Sequence, residues 1–180
     1  KAAEEQTQTA NSLQTAYFRK EFSSEKMGKW SLSNIANLST FVVDGPHVTP
    51  SYVADGVPFL TIKNIVRRKI DFAEVSYVTE EDHKEFCRRG KAEQGDILYT
   101  KDGTLGIPCI VDVTREFSYF VSVALIKLRR DIVDPTFVAY ALESPFVLKQ
   151  VERLGAGAGL KHMVLKSIRA LEVPCPPLDV

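Results

Sequence analysis

The sequence predicts an α+β domain in which short β-strands are interspersed with helices. The clearest strand covers 97–99, because its apolar residues lie between two turn-forming pairs, Gly95-Asp96 and Asp102-Gly103. Two helix starts are marked by capping residues: Thr79 precedes three acidic residues, and Asp134 precedes a proline. With 180 residues, of which 44% are apolar, the chain is long enough to bury one core.

The remaining elements follow from apolar patterning and from the positions of glycine and proline. We expect further strands at 41–43, 56–62, 70–78, 107–113, 117–127 and 171–174. We expect helices at 1–23, 79–89, 134–142, 146–154 and 167–170. The alternating glycines and alanines of 155–159 predict a flexible loop between the last two helices.

Composition excludes several classes of protein. The formal net charge is zero, so binding to nucleic acid has to rely on a local patch. The sequence contains no apolar run of membrane-spanning length and no signal peptide, and no membrane partner is expected. The three cysteines are widely spaced, and they do not combine with the histidines into a zinc-binding motif. The sequence therefore indicates reduced thiols in a cytoplasmic protein and no zinc site.

Catalytic and nucleotide-binding motifs do not fit the chain. The glycines of 155–159 follow a helix, and Lys161 is followed by His162 where a phosphate-binding loop has serine or threonine. The segment 175–178 lacks the polar and aromatic residues of an adenine-methyltransferase loop. The nuclease-like spacing at 82–84 lies where a capped helix favours acidic residues, and no nucleophile elbow accompanies the histidines. We therefore interpret the chain as a binding domain and not as an enzyme, with no metal or cofactor of its own.

Two segments carry polar side chains suited to a ligand. The corner after the 97–99 strand combines Lys101 and Thr104 with two glycines, so its backbone can approach a partner closely. The segment 61–70 holds four basic residues and no acidic one, which favours contact with phosphates. Both patterns also fit ordinary structure: a hairpin corner in the first case and a solvated turn in the second.

The predicted N-terminal helix carries a narrow apolar stripe. Leu13 and Tyr17 follow helical spacing, and Phe18 lies beside them. An isolated helix of this polarity is only marginally stable, so we expect Leu13, Tyr17 and Phe18 to pack on a partner. The partner is either another helix, if this is the end of a longer one, or the chain's own domain.

A series of motifs runs in a recognisable order along residues 29–178. The most specific piece is 95–98 with 102–103 and Gly106. The others, in chain order, are 30–32 with Ile35, 44–47 with Thr49 and Pro50, 56–60 with Asn64 and Ile65, 122–126, 140–142, 159–162 with Leu165 and Ile168, 173–174, and 176–178. This ordered series resembles the target recognition domain of a type I restriction–modification specificity (S) subunit, although Pro46 replaces the family's usual threonine.

The resemblance implies a mixed, curled β-sheet recognition domain with flanking helices, preceded by the end of a long spacer (coiled-coil) helix. It assigns 1–24 to the spacer helix, 29–177 to the DNA target recognition domain, and 178–180 to the start of a connection to a further spacer helix. It implies a non-catalytic subunit that binds double-stranded DNA and reads one half of a split target. The implied partners are modification subunits that use S-adenosylmethionine, restriction subunits that use ATP and magnesium, and an antiparallel spacer helix of the same or a second specificity chain.

Under this resemblance, DNA is expected to meet residues in four loops. The candidates are His47, Thr49, Ser51 and Tyr52; Lys63, Asn64, Arg67 and Arg68; Lys101 and Thr104; and Lys161 and His162. Asn64 suits adenine and Arg67 or Arg68 suits guanine, because each side chain can pair with that base through two hydrogen bonds. Lys63, Lys101 and Lys161 are expected on phosphates.

Three alternatives remain open at this point. The chain fits the recognition part of a single-chain restriction–methylation enzyme with catalytic domains upstream, or a half-length subunit that dimerises. It also fits a protein-interaction module that docks through its N-terminal helix and has no role on DNA.

Overall fold

The computed structural model describes residues 20, 22, 30–66, 69–154 and 162–176. Leu13, Tyr17 and Phe18 of the predicted spacer helix lie outside the described residues. So do Arg67, Arg68 and Lys161 of the predicted DNA-binding set, together with the glycine loop 155–159.

Strands and helices are interspersed along the chain. In order they are β1 (Ser31–Asn34), α1 (Ile35–Leu38), β2 (Ser39–Asp44), β3 (Val57–Leu60), a 3-10 helix (Ile62–Asn64), β4 (Ile65–Val66), β5 (Lys69–Ile70), β6 (Ser76–Val78), α2 (Glu80–Cys87), β7 (Ile97–Thr100), β8 (Pro108–Ile110), β9 (Ser118–Tyr119), β10 (Val123–Leu128), α3 (Pro135–Leu142), α4 (Pro145–Leu154), α5 (Leu165–Ala170) and β11 (Glu172–Cys175).

The centre of the fold is a four-stranded antiparallel sheet in the order β2-β10-β7-β8. A second sheet, β6-β3-β9, is mixed, because β3 pairs antiparallel with β6 and parallel with β9. Two-stranded ladders join β1 to β11 and β4 to β5. The predicted α+β class with mixed sheets is confirmed.

The central sheet is covered on both faces. Successive side chains of a strand point to opposite faces, so Ile97 and Tyr99 pack into one core with helices α3, α4 and α5, while Leu98 faces a second core. The second core adds Leu60 of β3 and Val111, which follows β8. Residues buried in this way stabilise the fold by about 1.5–3 kcal/mol for each large aliphatic side chain.

Both predicted helix caps are confirmed. The Thr79 hydroxyl accepts a hydrogen bond from the Asp82 amide at 3.1 Å, and the Asp134 carboxylate accepts one from the Phe137 amide at 2.9 Å. These contacts satisfy amide groups that have no partner within the first turn of a helix.

Two predicted strands are interrupted. Strand 70–78 divides into β5 and β6, because the carbonyls between them bond the Asn64 side chain instead of a neighbouring strand. Strand 117–127 divides into β9 and β10, because the chain crosses from the mixed sheet to the central sheet at the turn 121–122. Within the described ranges, no helix is both long and apolar enough to cross a membrane.

Candidate nucleic-acid interface

Lys101 lies at the trailing end of β7, the end where the strand leaves the central sheet. Its side chain is only 3% exposed, and its ammonium nitrogen lies 3.5 Å from one oxygen of Asp44 and 3.5 Å from one oxygen of Asp102. The Lys101 amide donates to the Ser122 carbonyl at 3.0 Å, and the Lys101 carbonyl accepts from the Met163 amide at 2.8 Å. One residue therefore connects the ends of three separate segments. We call Asp44, Lys101, Asp102 and His162 the ionic cluster.

His162 joins the cluster from the segment that precedes α5. Its ring nitrogen Nδ1 is hydrogen-bonded to the Asp102 carboxylate, and the two residues also form an isolated antiparallel β-bridge. The imidazole remains half exposed, so it keeps one edge towards solvent. The predicted residues Lys101 and His162 are thus brought together through Asp102.

Asp44 anchors the loop that follows β2. Its carboxylate lies 2.8 Å from the Arg89 guanidinium and 3.4 Å from the exposed His47 ring. The next residue, Gly45, lies so close to β9 that a Cβ atom there would be 1.9 Å from the Tyr119 carbonyl oxygen. The loop bearing His47 is therefore fixed at its base and exposed at its tip.

The corner after β7 is a tight turn. Gly103 and Gly106 have φ angles of +67° and +83°, in the left-handed region that favours glycine. Thr104 at its tip is exposed. A Cβ atom on Gly103 would meet the Ile62 side chain at 3.3 Å, which puts this corner against the 3-10 helix that carries the exposed Lys63.

Asn64 lies in the fold interior. Its side-chain oxygen accepts from the Thr61 amide at 2.9 Å. Its side-chain nitrogen donates to the Asp71 carbonyl at 3.2 Å and to the Glu74 carbonyl at 3.1 Å. The amide is therefore engaged within the protein, whereas the sequence-based expectation of adenine pairing assumed a free side chain.

Thr49, Ser51 and Tyr52 are exposed, while Pro50 between them is buried. The Tyr52 ring packs edge-on against Phe59 of β3 with centroids 6.1 Å apart, while about half of the residue stays exposed. Such a ring is held at one edge and offers the other to a partner.

At the leading end of β7 the central buried charge is a carboxylate. The fully buried Asp96 carboxylate accepts from the Glu93 amide at 2.8 Å and lies 3.1 Å from the Lys127 ammonium and 3.3 Å from the Arg130 guanidinium. The hydrogen bond from Lys127 lowers the pKa of Glu93 below its usual value. These contacts give the Gly95-Asp96 pair a structural role in stabilising the central sheet.

A second polar group lies between α2 and β9. The buried His83 ring is 2.8 Å from the Ser118 hydroxyl and 3.5 Å from the Glu116 carboxylate, with the Cys87 sulfur at 3.6 Å. Ser118 is itself buried, and burial raises the pKa of the Cys87 thiol, so neither group has the accessibility or activation of a nucleophile. The group attaches α2 to β9. In the part of the chain that the structure describes, no three histidine, cysteine, aspartate or glutamate side chains are arranged to hold a metal ion.

Sequence reasoning missed the roles of Asp44, Arg89 and Asp102. Asp44 and Asp102 stand in turn-forming segments, where aspartate has an ordinary local explanation. One feature did point to a buried partner for Lys101. It directly follows a strand whose four residues are all buried, and a lysine that is buried needs an oppositely charged partner.

No protein-family model matches the chain, and no curated protein matches it closely enough to count as a relative. Solved structures do match. The S subunit of a type I restriction-modification system from M. genitalium has a TM-score of 0.55 and 17% identity, over 81% of this chain and 34% of that chain. The HsdS subunit from Thermoanaerobacter tengcongensis has a TM-score of 0.60 and 13% identity, over 98% of this chain and 41% of that chain.

A third structure concerns the complex assembly and conformational transition of the type I R-M system. Its chain has a TM-score of 0.65 and 16% identity, over 98% of this chain and 42% of that chain. The chain therefore spans less than half the length of each of these neighbours. Its fold is the one found in specificity subunits of type I restriction–modification systems, as the order of its sequence motifs predicted.

Proposed function

We propose that residues 29–177 form a target recognition domain that binds double-stranded DNA and reads one half of a split target for a type I restriction–modification system. The observation that carries this proposal is the similarity of fold to an HsdS subunit over 98% of the chain. The ordered motifs of the sequence support it independently.

The proposal extends to the rest of the assembly. The chain would be a non-catalytic, cytoplasmic subunit with no cofactor of its own. Modification subunits would methylate adenine with S-adenosylmethionine, and restriction subunits would use ATP and magnesium. Residues 1–24 would end a spacer helix whose Leu13, Tyr17 and Phe18 pack on an antiparallel helix of the same or a second specificity chain, and 178–180 would begin the connection to a further spacer helix.

The DNA would lie against the exposed loops at the trailing end of β7. Exposed side chains suited to phosphates or base edges are His47, Thr49, Ser51, Tyr52, Lys63, Thr104 and His162. Arg67 or Arg68 is the proposed guanine reader, and Lys161 is a proposed phosphate contact. Asn64 enters the proposal as a residue that shapes the loop beside Lys63, because its amide is engaged internally.

Selection from a random pool of double-stranded DNA tests the proposal. The protein is assembled with modification subunits at moderate salt, and bound DNA is sequenced. We expect a split motif to be enriched. We expect Arg67→Ala to weaken binding to that motif by about 1–3 kcal/mol and to relax one position of one half.

Lys84→Ala, at an exposed lysine on α2, is the control and should leave the enriched motif and its affinity unchanged. No enriched motif together with salt-insensitive binding would contradict the proposal, and the helix-mediated interaction module would then become the better interpretation.

A further inference from the structure

Lys101 was expected to contact phosphate, yet its ammonium group is enclosed by the protein. We propose that Lys101 is a positioning residue: through the ionic cluster it holds the loops of the DNA-binding face in one arrangement, and it makes no contact with phosphate. This inference deepens the proposed function and rests on it for its effect on DNA.

The geometry connects loops that are distant in sequence. The Lys101 ammonium lies 3.5 Å from the Asp44 and Asp102 carboxylates, so it links the end of β2 to the corner after β7. Asp102 in turn holds the ring of His162, which precedes α5. Asp44 also lies within 3.4 Å of the His47 ring. Two side chains from the predicted DNA-binding set, His47 and His162, are thus held by carboxylates that share one ammonium.

The surroundings of Lys101 prevent it from acting as a phosphate contact. Its side chain is 3% exposed, and its amide and carbonyl are bonded to Ser122 and Met163. Moving the ammonium out to a phosphate would leave the Asp44 carboxylate, itself 5% exposed, without one of its cations. A buried charge that loses its partner is strongly unfavourable, so the group is retained inside.

A buried lysine and an exposed lysine are expected to affect DNA binding in different ways. An exposed lysine on a phosphate releases counterions and adds to affinity for every sequence. A buried lysine releases none, and it acts through where the loops present their side chains. Its loss is therefore expected to reduce discrimination between cognate and unrelated DNA.

The test compares Lys101→Met with Lys63→Met, because both remove one ammonium and Lys63 is exposed. Affinity for the selected motif and for an unrelated duplex is measured over a range of salt concentrations. We expect Lys63→Met to lower the salt slope by about 0.9 and to weaken both duplexes equally. We expect Lys101→Met to keep the wild-type slope and to reduce the cognate preference by roughly tenfold, the scale of one lost base-pair discrimination.

Asp102→Asn is the second variant, because it weakens the link to His162 while keeping the side chain's size and the Lys101–Asp44 pair. Position 102 tolerates substitution better than position 101, because the Asp102 side chain is partly exposed. We expect the same loss of preference at an unchanged salt slope. This variant decides the matter if Lys101→Met fails to fold.

Hydrogen exchange without DNA gives an independent reading. Exchange at the Met163 amide and in 45–50 should be faster in Lys101→Met and unchanged in Lys63→Met, because only the former breaks contacts of the ionic cluster. A salt slope lowered by about 0.9 in Lys101→Met, with cognate preference intact, would overturn the inference. If the wild-type protein binds no DNA, the proposed function fails. Hydrogen exchange alone then tests the positioning role of Lys101, and exchange rates that are unchanged in Lys101→Met would overturn that role.

Discussion

A charged group is buried at each end of β7: a carboxylate alone at the leading end, and an ammonium together with a carboxylate at the trailing end. At the leading end the Asp96 carboxylate is fully buried, while Lys127 and Arg130 reach it with side chains that are 21% and 50% exposed. At the trailing end the ammonium of Lys101 is buried together with the carboxylate of Asp44, and its other partner, Asp102, is 30% exposed.

We infer that the leading end of β7 serves the stability of the fold and that the trailing end serves the proposed recognition of DNA. The partners of Asp96 come from the preceding turn and from the end of β10 with the residues that follow it, so they stabilise the frame of the central sheet. The partners of Lys101 lie at the bases of loops whose tips are exposed. A change at the leading end is therefore expected to affect unfolding, and a change at the trailing end is expected to affect DNA preference more than unfolding.

Asp96→Ala should produce the largest loss of stability. It removes a buried carboxylate that accepts from the Glu93 amide and pairs with two cations, so we expect the free energy of unfolding to fall by about 3 kcal/mol. Lys101→Met should cost less, about 2 kcal/mol, because Asp44 keeps its pair with Arg89. Urea unfolding measures both values. The contrast between the two ends would be refuted if Lys101→Met proved the more destabilising, or if folded Asp96→Ala lost its DNA preference.

Substitutions at two glycines test the same contrast between the two ends of β7, with smaller expected effects. Gly95, before β7, has a φ angle of +85°, and a Cβ atom there would lie 2.9 Å from the Arg130 guanidinium carbon. Gly103, after β7, has a φ of +67° and faces Ile62. We expect Gly95→Ala to cost about 2 kcal/mol and Gly103→Ala about 1 kcal/mol, because both strain the backbone and only the former also disturbs an ion pair.

Thermal unfolding ranks these two variants, and duplex competition should show reduced cognate preference for Gly103→Ala alone. Equal preference in both variants would indicate that the corner after β7 does not shape the DNA-binding face.

Glu93→Gln should have the smallest effect and a characteristic pH dependence. The Lys127 hydrogen bond lowers the folded-state pKa of Glu93, so its contribution is present above the ordinary glutamate pKa of about 4.3 and is lost as pH falls through the lower folded-state value. Because Glu93 is largely exposed, we expect a loss below about 0.5 kcal/mol at neutral pH. Urea unfolding at pH 7 and at acidic pH, with Glu152→Gln as a matched exposed control, measures it. A difference between variant and wild type that grows as the pH falls would contradict this assignment.

Local signals predicted the frame well. Thr79 and Asp134 cap their helices, and the strand expected at 97–99 extends by one residue to Thr100, because each of these features depends on neighbours in sequence. The long strands expected at 70–78 and 117–127 were predicted less well, since their interruptions depend on which sheet each half joins.

The sequence predicted which loops form the candidate site, but it did not predict the contacts that their side chains make. The basic run predicted the exposed Lys63 but gave no sign that Asn64 within it is buried, because the carbonyls that bind it come from Asp71 and Glu74. Likewise, the burial of Lys101 depends on Asp44, which is far earlier in the chain. Spacing along a sequence does not reveal such partners.

The ladder between β1 and β11 has a consequence for engineering. Ser31 is paired directly with Cys175, so the outer ends of the first and last strands lie at neighbouring positions, about 5 Å apart in an antiparallel pair. A unit with adjacent ends can replace a short surface loop of another protein at little cost in chain entropy. A transplanted cassette has to begin before β1, because Phe22 is buried against Trp30 and Phe137, and its β1–β11 ladder would hold the two ends together.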